Sequence, residues 1–287
     1  MLFLLWALPG TAVHAAIRVQ DDSGQWVALD RPATRVISLA PHLTELVYSL
    51  DAGKQLVGVV EYSDYPPAAG KLPRIGNHAG IDLERVLALA PDLVLAWGSG
   101  SPAHAVGRFR RLRIPVFVNE IKDLDGVAVT LERLGRLLGH PRRGAQRARA
   151  YRSRLRQLQD RYRRNDRLRV FVQVSRRPII TLAKTHWMTQ ILSLCGGENV
   201  FDLSVPMAPQ VDTESVIDAN PDVILISDAL ADVQAAKEEW RSLGVLTAAR
   251  REQVYAFPAS LLLRPTMRLL DGADWLCPLL EKAGAGQ

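Results

Sequence analysis

A chain of 287 residues with 48% hydrophobic and 23% charged residues is a folded protein, not a disordered or fibrous one, and its length fits two domains of roughly 120 residues each. The formal net charge of +6 sits almost wholly in one arginine-rich segment, which lacks the aromatic and loop elements that a nucleic-acid-binding module would place beside it. The chain carries no nucleophile elbow, no Gly-rich phosphate loop ending in Lys and no paired histidines at helical metal-binding spacing, which argues against the common hydrolase, phosphotransferase and metalloprotease classes.

Residues 1–15 read as a signal peptide. Leu2 to Leu8 form an apolar core, Val13 and Ala15 are small residues at the spacing of a cleavage site, and the run falls well short of the roughly 20 residues that a spanning helix needs. The chain is therefore expected to be exported. Residues 17–34 then alternate apolar and polar around Asp22, Ser23 and Gly24, the pattern of a small hairpin.

From Arg35 the pattern changes to buried apolar runs separated by helical segments. Strands are expected at Arg35 to Leu39, Leu56 to Val60, Leu93 to Ala96 and Pro115 to Val118. Between them lie a helix opened by Pro41, a loop marked by Gly76, Asn77 and Gly80, a helix capped by Asp82 and stopped before Pro91, and helices at Ala103 to Leu112 and Asp123 to Gly139. Strands that alternate with helices argue for a parallel α/β sheet, here a first lobe over residues 35–139.

Residues 140–167 read as one long linking helix that starts at Pro141. Ala148, Tyr151, Leu155, Leu158 and Tyr162 recur at steps of three and four and form one apolar stripe, while arginines cover the other faces. Roughly 24 helical residues would span about 36 Å, enough to cross a small domain as a strut.

The second lobe, residues 168–287, opens with a strand at Leu168 to Val174 and carries an internal repeat. DLERVLALAPDLVLAW from Asp82 matches DTESVIDANPDVILIS from Asp212, with Asp, Glu, Val, Pro, Asp and Leu at the same offsets. Two copies of one α/β design joined by a strut place the natural ligand site in the cleft between them, near strand ends and helix starts. The chain's two cysteines, Cys195 and Cys277, both lie in this half, and in an exported chain they are expected to form one disulfide.

Taken together, RVISLAPHLTELVYSL, VGVVEYSDYPP, GIDLERVLALAPDLVLAW, LCGGENVF, APQV and RPTMRLLDGADWLC resemble the periplasmic cobalamin-binding proteins that feed an ABC importer. The resemblance runs from about Arg35 to Cys277 and lies within a wider class that also contains siderophore- and haem-binding proteins. It implies two α/β lobes joined by a single helix, a non-enzymatic and monomeric binder, and a cobalt corrinoid as cargo with no resident cofactor or protein metal site. Haem or a ferric siderophore is the alternative cargo.

Tyr62 stands where that family places an aromatic against the corrin, and Arg264 where it places a cleft arginine. His78 replaces a tryptophan of the well-known members, Met207 and Ala208 replace another, and Ser260-Leu-Leu-Leu replaces a polar and aromatic loop. The expected ligand set is Tyr62, His78 and Trp97 on one side, with Ser175, Trp187, Met207 and Arg264 on the other. His42 is weighed as a further cleft residue. Glu84 and Glu214 hold equivalent positions in the two repeat copies. The family resemblance implies that they dock on arginines of the two membrane permease subunits.

Overall fold

The computed structural model describes residues 16–77, 79–163, 167–201 and 208–285. The signal segment, His78 and Met207 lie outside the described residues. The chain opens with a hairpin of β1 (Ile17–Gln20) and β2 (Trp26–Leu29). Asp21 closes its turn by accepting the backbone N–H groups of Ser23 and Gln25, each at 2.9 Å. Gly24 supplies the left-handed φ of +82° that the turn requires. Asp22 fastens the hairpin to the first lobe, accepting from Asn119 Nδ2 at 3.0 Å and pairing with the Arg133 guanidinium.

The first lobe contains β3 (Val36–Ser38), α1 (Pro41–Ser49), β4 (Leu56–Val59), α2 (Leu83–Ala88), β5 (Leu93–Trp97), α3 (Ala103–Arg111), β6 (Val116–Asn119) and α4 (Gly126–Leu137). Its four strands are parallel in the order β4-β3-β5-β6. The linking helix α5 (Pro141–Arg161) follows. The second lobe contains β7 (Leu168–Gln173), β8 (Ser175–Arg176), β9 (Ile179–Ile180), α6 (Trp187–Leu194), β10 (Gly197–Asn199), α7 (Thr213–Ala219), β11 (Val223–Ser227), α8 (Val233–Arg241), α9 (Thr247–Arg250), β12 (Val254–Phe257), α10 (Ala259–Leu262) and α11 (Leu269–Ala285). Its main sheet is parallel in the order β10-β7-β11-β12, the same path as the first. Each sheet draws its strands from one side of α5.

The repeat extends beyond the matched letters. Asp82 and Asp212 cap α2 and α7 by accepting from the N–H groups of Arg85 and Ser215 at 2.9 and 2.8 Å. Asp92 then accepts the N–H of Arg35 at 2.9 Å while the Arg35 guanidinium reaches Leu89 O at 2.7 Å. In the second lobe Asp222 accepts the N–H of Arg169 at 3.0 Å, and the Arg169 guanidinium reaches Ala219 O at 2.6 Å. Each helix end is thus strapped to the neighbouring strand in the same way.

Alternation along the strands divides the core. Leu93, Leu95, Val170, Val172, Val223 and Leu225 point into one large apolar core that both lobes share with α5 and α11. Val94 and Ala96 face a second core under α3, and Phe171, Ile224 and Ile226 face a third under α8. The expected stripe of α5 is wholly buried in the shared core.

The helix is shorter than expected, 21 residues ending at Arg161 with Tyr162 as its cap. After Tyr162 no apolar residue continues the stripe, and Leu168 already belongs to a strand. The flanking arginines grip both lobes. Arg143 pairs with Asp51, Arg147 donates to Ser49 O, and Arg152 pairs with Asp125 and Glu132 in the first lobe, while Arg154 pairs with Asp271 and Asp274 in the second. Cys195, at the end of α6, is disulfide-bonded to Cys277 in α11 across 82 residues.

Candidate functional site

In both lobes the chain leaves the first strand of the sheet toward one neighbour and later returns to its other side, so a crevice opens at the carboxyl ends of β3 and β5 and of β7 and β11. Tyr62 follows β4 at this level. Its backbone is left-handed, φ +63°, which is uncommon for a residue with a bulky side chain, and the residue is 69% exposed. The loop that carries it is pinned from beneath. Thr44 Oγ1 donates to Ser63 Oγ at 3.2 Å, and Arg74 Nη1 donates to Ser63 O at 3.1 Å. The exposed ring therefore stands on a fixed base.

Arg264 lies between α10 and α11 in the second lobe but is bonded to the first. Its Nη1 donates to Glu45 Oε1 at 3.0 Å and to Asp64 Oδ1 at 2.6 Å, and its Nη2 donates to Tyr62 O at 3.1 Å. Arg268, just before α11, donates to Glu45 Oε2 at 3.4 Å and lies over the Tyr65 ring, 3.7 Å from its centroid. Burial pushes the Glu45 carboxyl up against the opposing bonds and charges of the two arginines. At Asp64 the smaller burial also works upward, but the bond and charge of Arg264 outweigh it and hold this carboxyl below its ordinary value.

A chain of rings crosses the boundary between the lobes. His42 meets Trp97 edge-on at 5.5 Å, Trp97 approaches Trp187 at 6.4 Å across the lobe boundary, and Trp187 lies against His186 at 3.9 Å. Trp97 is half-buried, its indole N–H on Glu120 Oε1 at 3.4 Å. Trp187, expected on the second wall, is only 1% exposed and donates to Leu262 O at 3.1 Å. It serves the shared core, and in this conformation it offers no face to a ligand. Ser175 begins the β8–β9 hairpin beyond β7, half-buried, its carbonyl accepting from Gln173 Nε2 at 3.2 Å.

Both histidines are buried and held neutral. Burial, helped by the Arg264 charge and opposed by the bond to Asn119, lowers His42 to about 4, and burial lowers His186 to about 3. Among the described residues no three His, Cys, Asp or Glu side chains gather as a metal-holding group.

Nothing in the sequence itself marks Glu45, Asp64, Tyr65, Arg268 or His186 as meeting at the lobe boundary. Asp64 and Tyr65 lie within YSDYPP, and Arg268 follows shortly after Arg264 in the segment that leads into α11, so nearness in sequence to Tyr62 and Arg264 is the signal that points to them. Glu84 and Glu214 are both exposed at the second residue of their helices, and neither forms an ion pair with a described residue.

The chain belongs to the periplasmic binding protein family, whose model matches residues 36–261. It is a binding protein, not an enzyme. It is 42% identical over 255 residues to the vitamin B12-binding protein of Vibrio cholerae, covering 88% of this chain and 91% of that one. It is 37% identical to the vitamin B12-binding protein of Yersinia pseudotuberculosis over 95% and 93% of the two chains. The crystal structure of the periplasmic vitamin B12-binding protein of Vibrio cholerae superposes with a TM-score of 0.82 at 41% identity, covering 88% of this chain and 98% of that one. A periplasmic haem-binding protein from Roseiflexus shares the fold, TM-score 0.79, at 23% identity over 88% and 99% of the chains.

Proposed function

We propose that this protein captures cobalamin or a related corrinoid in the interlobe cleft, without covalent chemistry, and delivers it to the membrane permease of an ABC importer. The observation that carries the reading is the 42% identity to a vitamin B12-binding protein across 88% of the chain. The cleft suits a large flat ligand. Tyr62 offers an exposed ring on a pinned loop, Trp97 adds a half-buried aromatic edge, and Arg264 supplies a guanidinium for an anionic group. Export by the N-terminal segment and action as a monomer belong to the same reading.

Calorimetry with cobalamin, cobinamide, haem and ferric siderophores side by side tests it. Submicromolar binding of a corrinoid is the expected result, and comparable affinity only for an iron ligand would sink it. His78 and Met207 remain proposed contacts, to be probed by the same titration on His78→Ala and Met207→Ala.

Glu84 and Glu214 are the proposed docking points for the permease. A carboxylate in the first turn of a helix is favoured by the helix dipole by roughly 0.3 to 1 kcal/mol, which would account for either residue alone. Retention of both at one offset in the two lobes suits a partner with two-fold symmetry. Rim charges mainly steer association, so Glu84→Ala with Glu214→Ala should leave corrinoid affinity nearly unchanged while weakening permease binding and transport, more at low salt than at high. Normal transport into vesicles by the double variant would refute the assignment.

A further inference from the structure

Arg264 has two carboxylate partners that differ in kind. The Glu45 side chain is 3% exposed and its two oxygens meet two different arginines of the second lobe, whereas the Asp64 side chain is 63% exposed. Asp64 meets the guanidinium as a fork, Oδ1 to Nη1 at 2.6 Å and Oδ2 to Nη2 at 3.4 Å. That is the geometry in which arginine also takes two oxygens of a phosphate.

We propose that Glu45 is the permanent anchor that positions Arg264, and that Asp64 is an exchangeable partner whose carboxylate marks the place of an anionic group of the cargo. The inference rests on the corrinoid reading and narrows it to corrinoids that keep the phosphodiester of their nucleotide loop. Glu45 and Asp64 balance the charges of Arg264 and Arg268. A phosphodiester that displaces Asp64 preserves that balance within the cleft and releases the aspartate to water. A corrinoid without the phosphodiester leaves Asp64 in place and gains nothing from Arg264.

The experiment is calorimetry of cobalamin, which has the phosphodiester, and cobinamide, which lacks it, against the wild-type chain, Asp64→Asn, Glu45→Gln and Arg264→Ala. The wild type should prefer cobalamin. Asp64→Asn removes the competitor and should raise that preference roughly 2- to 5-fold, the scale of an exposed ion pair. Arg264→Ala should reduce the preference about 10-fold or more, the scale of charged hydrogen bonds, and Glu45→Gln should narrow it while the fold, checked by circular dichroism, persists. If the buried Glu45 variant does not fold, Asp64→Asn on its exposed loop decides. Binding of both corrinoids with a ratio that Asp64→Asn leaves unchanged overturns the assignment of Asp64. Failure of the wild type to bind either corrinoid overturns the corrinoid reading itself, and this inference with it.

Discussion

Replacing both bridged cysteines, Cys195→Ala with Cys277→Ala, should lower the free energy of unfolding by about 4 kcal/mol, the chain-entropy value for a closed loop of this size. The bridge encloses 82 residues of sequence, including most of the second lobe from the end of α6 to the middle of α11. Both cysteines lie within the shared core, so the unfolded chain loses freedom while the folded one keeps its packing. Denaturant titration of the wild type with and without reductant, beside the double variant, reads the effect. A loss below 1 kcal/mol would mean that the unfolded second lobe is already restricted without the bridge.

Acidification should destabilise the protein before its ordinary carboxylates titrate. His42 and His186 are held neutral at about 4 and about 3, whereas in the unfolded chain they take up protons near pH 6.5. The folded state therefore binds fewer protons than the unfolded one in this window. Stability is fully present above about pH 6.5 and is lost as the pH falls toward the folded values, by on the order of 4 kcal/mol between pH 7.5 and 5. Glu45, whose carboxyl is pushed up, works in the opposite direction. Chemical denaturation at pH 7.5, 6.5, 5.5 and 5 should show the fall, and a variant with both histidines replaced by asparagine should show much less of it. Equal pH dependence in the two proteins would rule out the buried imidazoles as the cause.

The legible parts of the molecule were those in which a residue reports on its own element. The stripe Ala148, Tyr151, Leu155, Leu158 and Tyr162 is buried as its spacing requires, and Asp82 and Asp212 cap the helices that they precede. The pairing of Arg264 with Glu45 and Asp64 spans 219 and 200 residues, and no local period encodes a partner at that distance. Trp187 shows the same limit from the other side. An aromatic at a helix start suits a cleft wall as well as a core, and only the approach of α10, whose Leu262 carbonyl takes the indole N–H, settles its place.

The arginine pairs along α5 bear on how a partner could tell a loaded protein from an empty one. A beam fixed only at its ends lets its two loads swing, but one gripped along its length on both flanks deforms only as a whole and by little. Arg143, Arg147 and Arg152 clamp this beam to the first lobe and Arg154 clamps it to the second, while the core beneath it is continuous. The silhouette of the molecule is then expected to change little with cargo, with the spacing between the two rims preset. What remains to distinguish the two states is the cargo's own surface at the mouth of the cleft and the stiffness that it lends to the loops beside it.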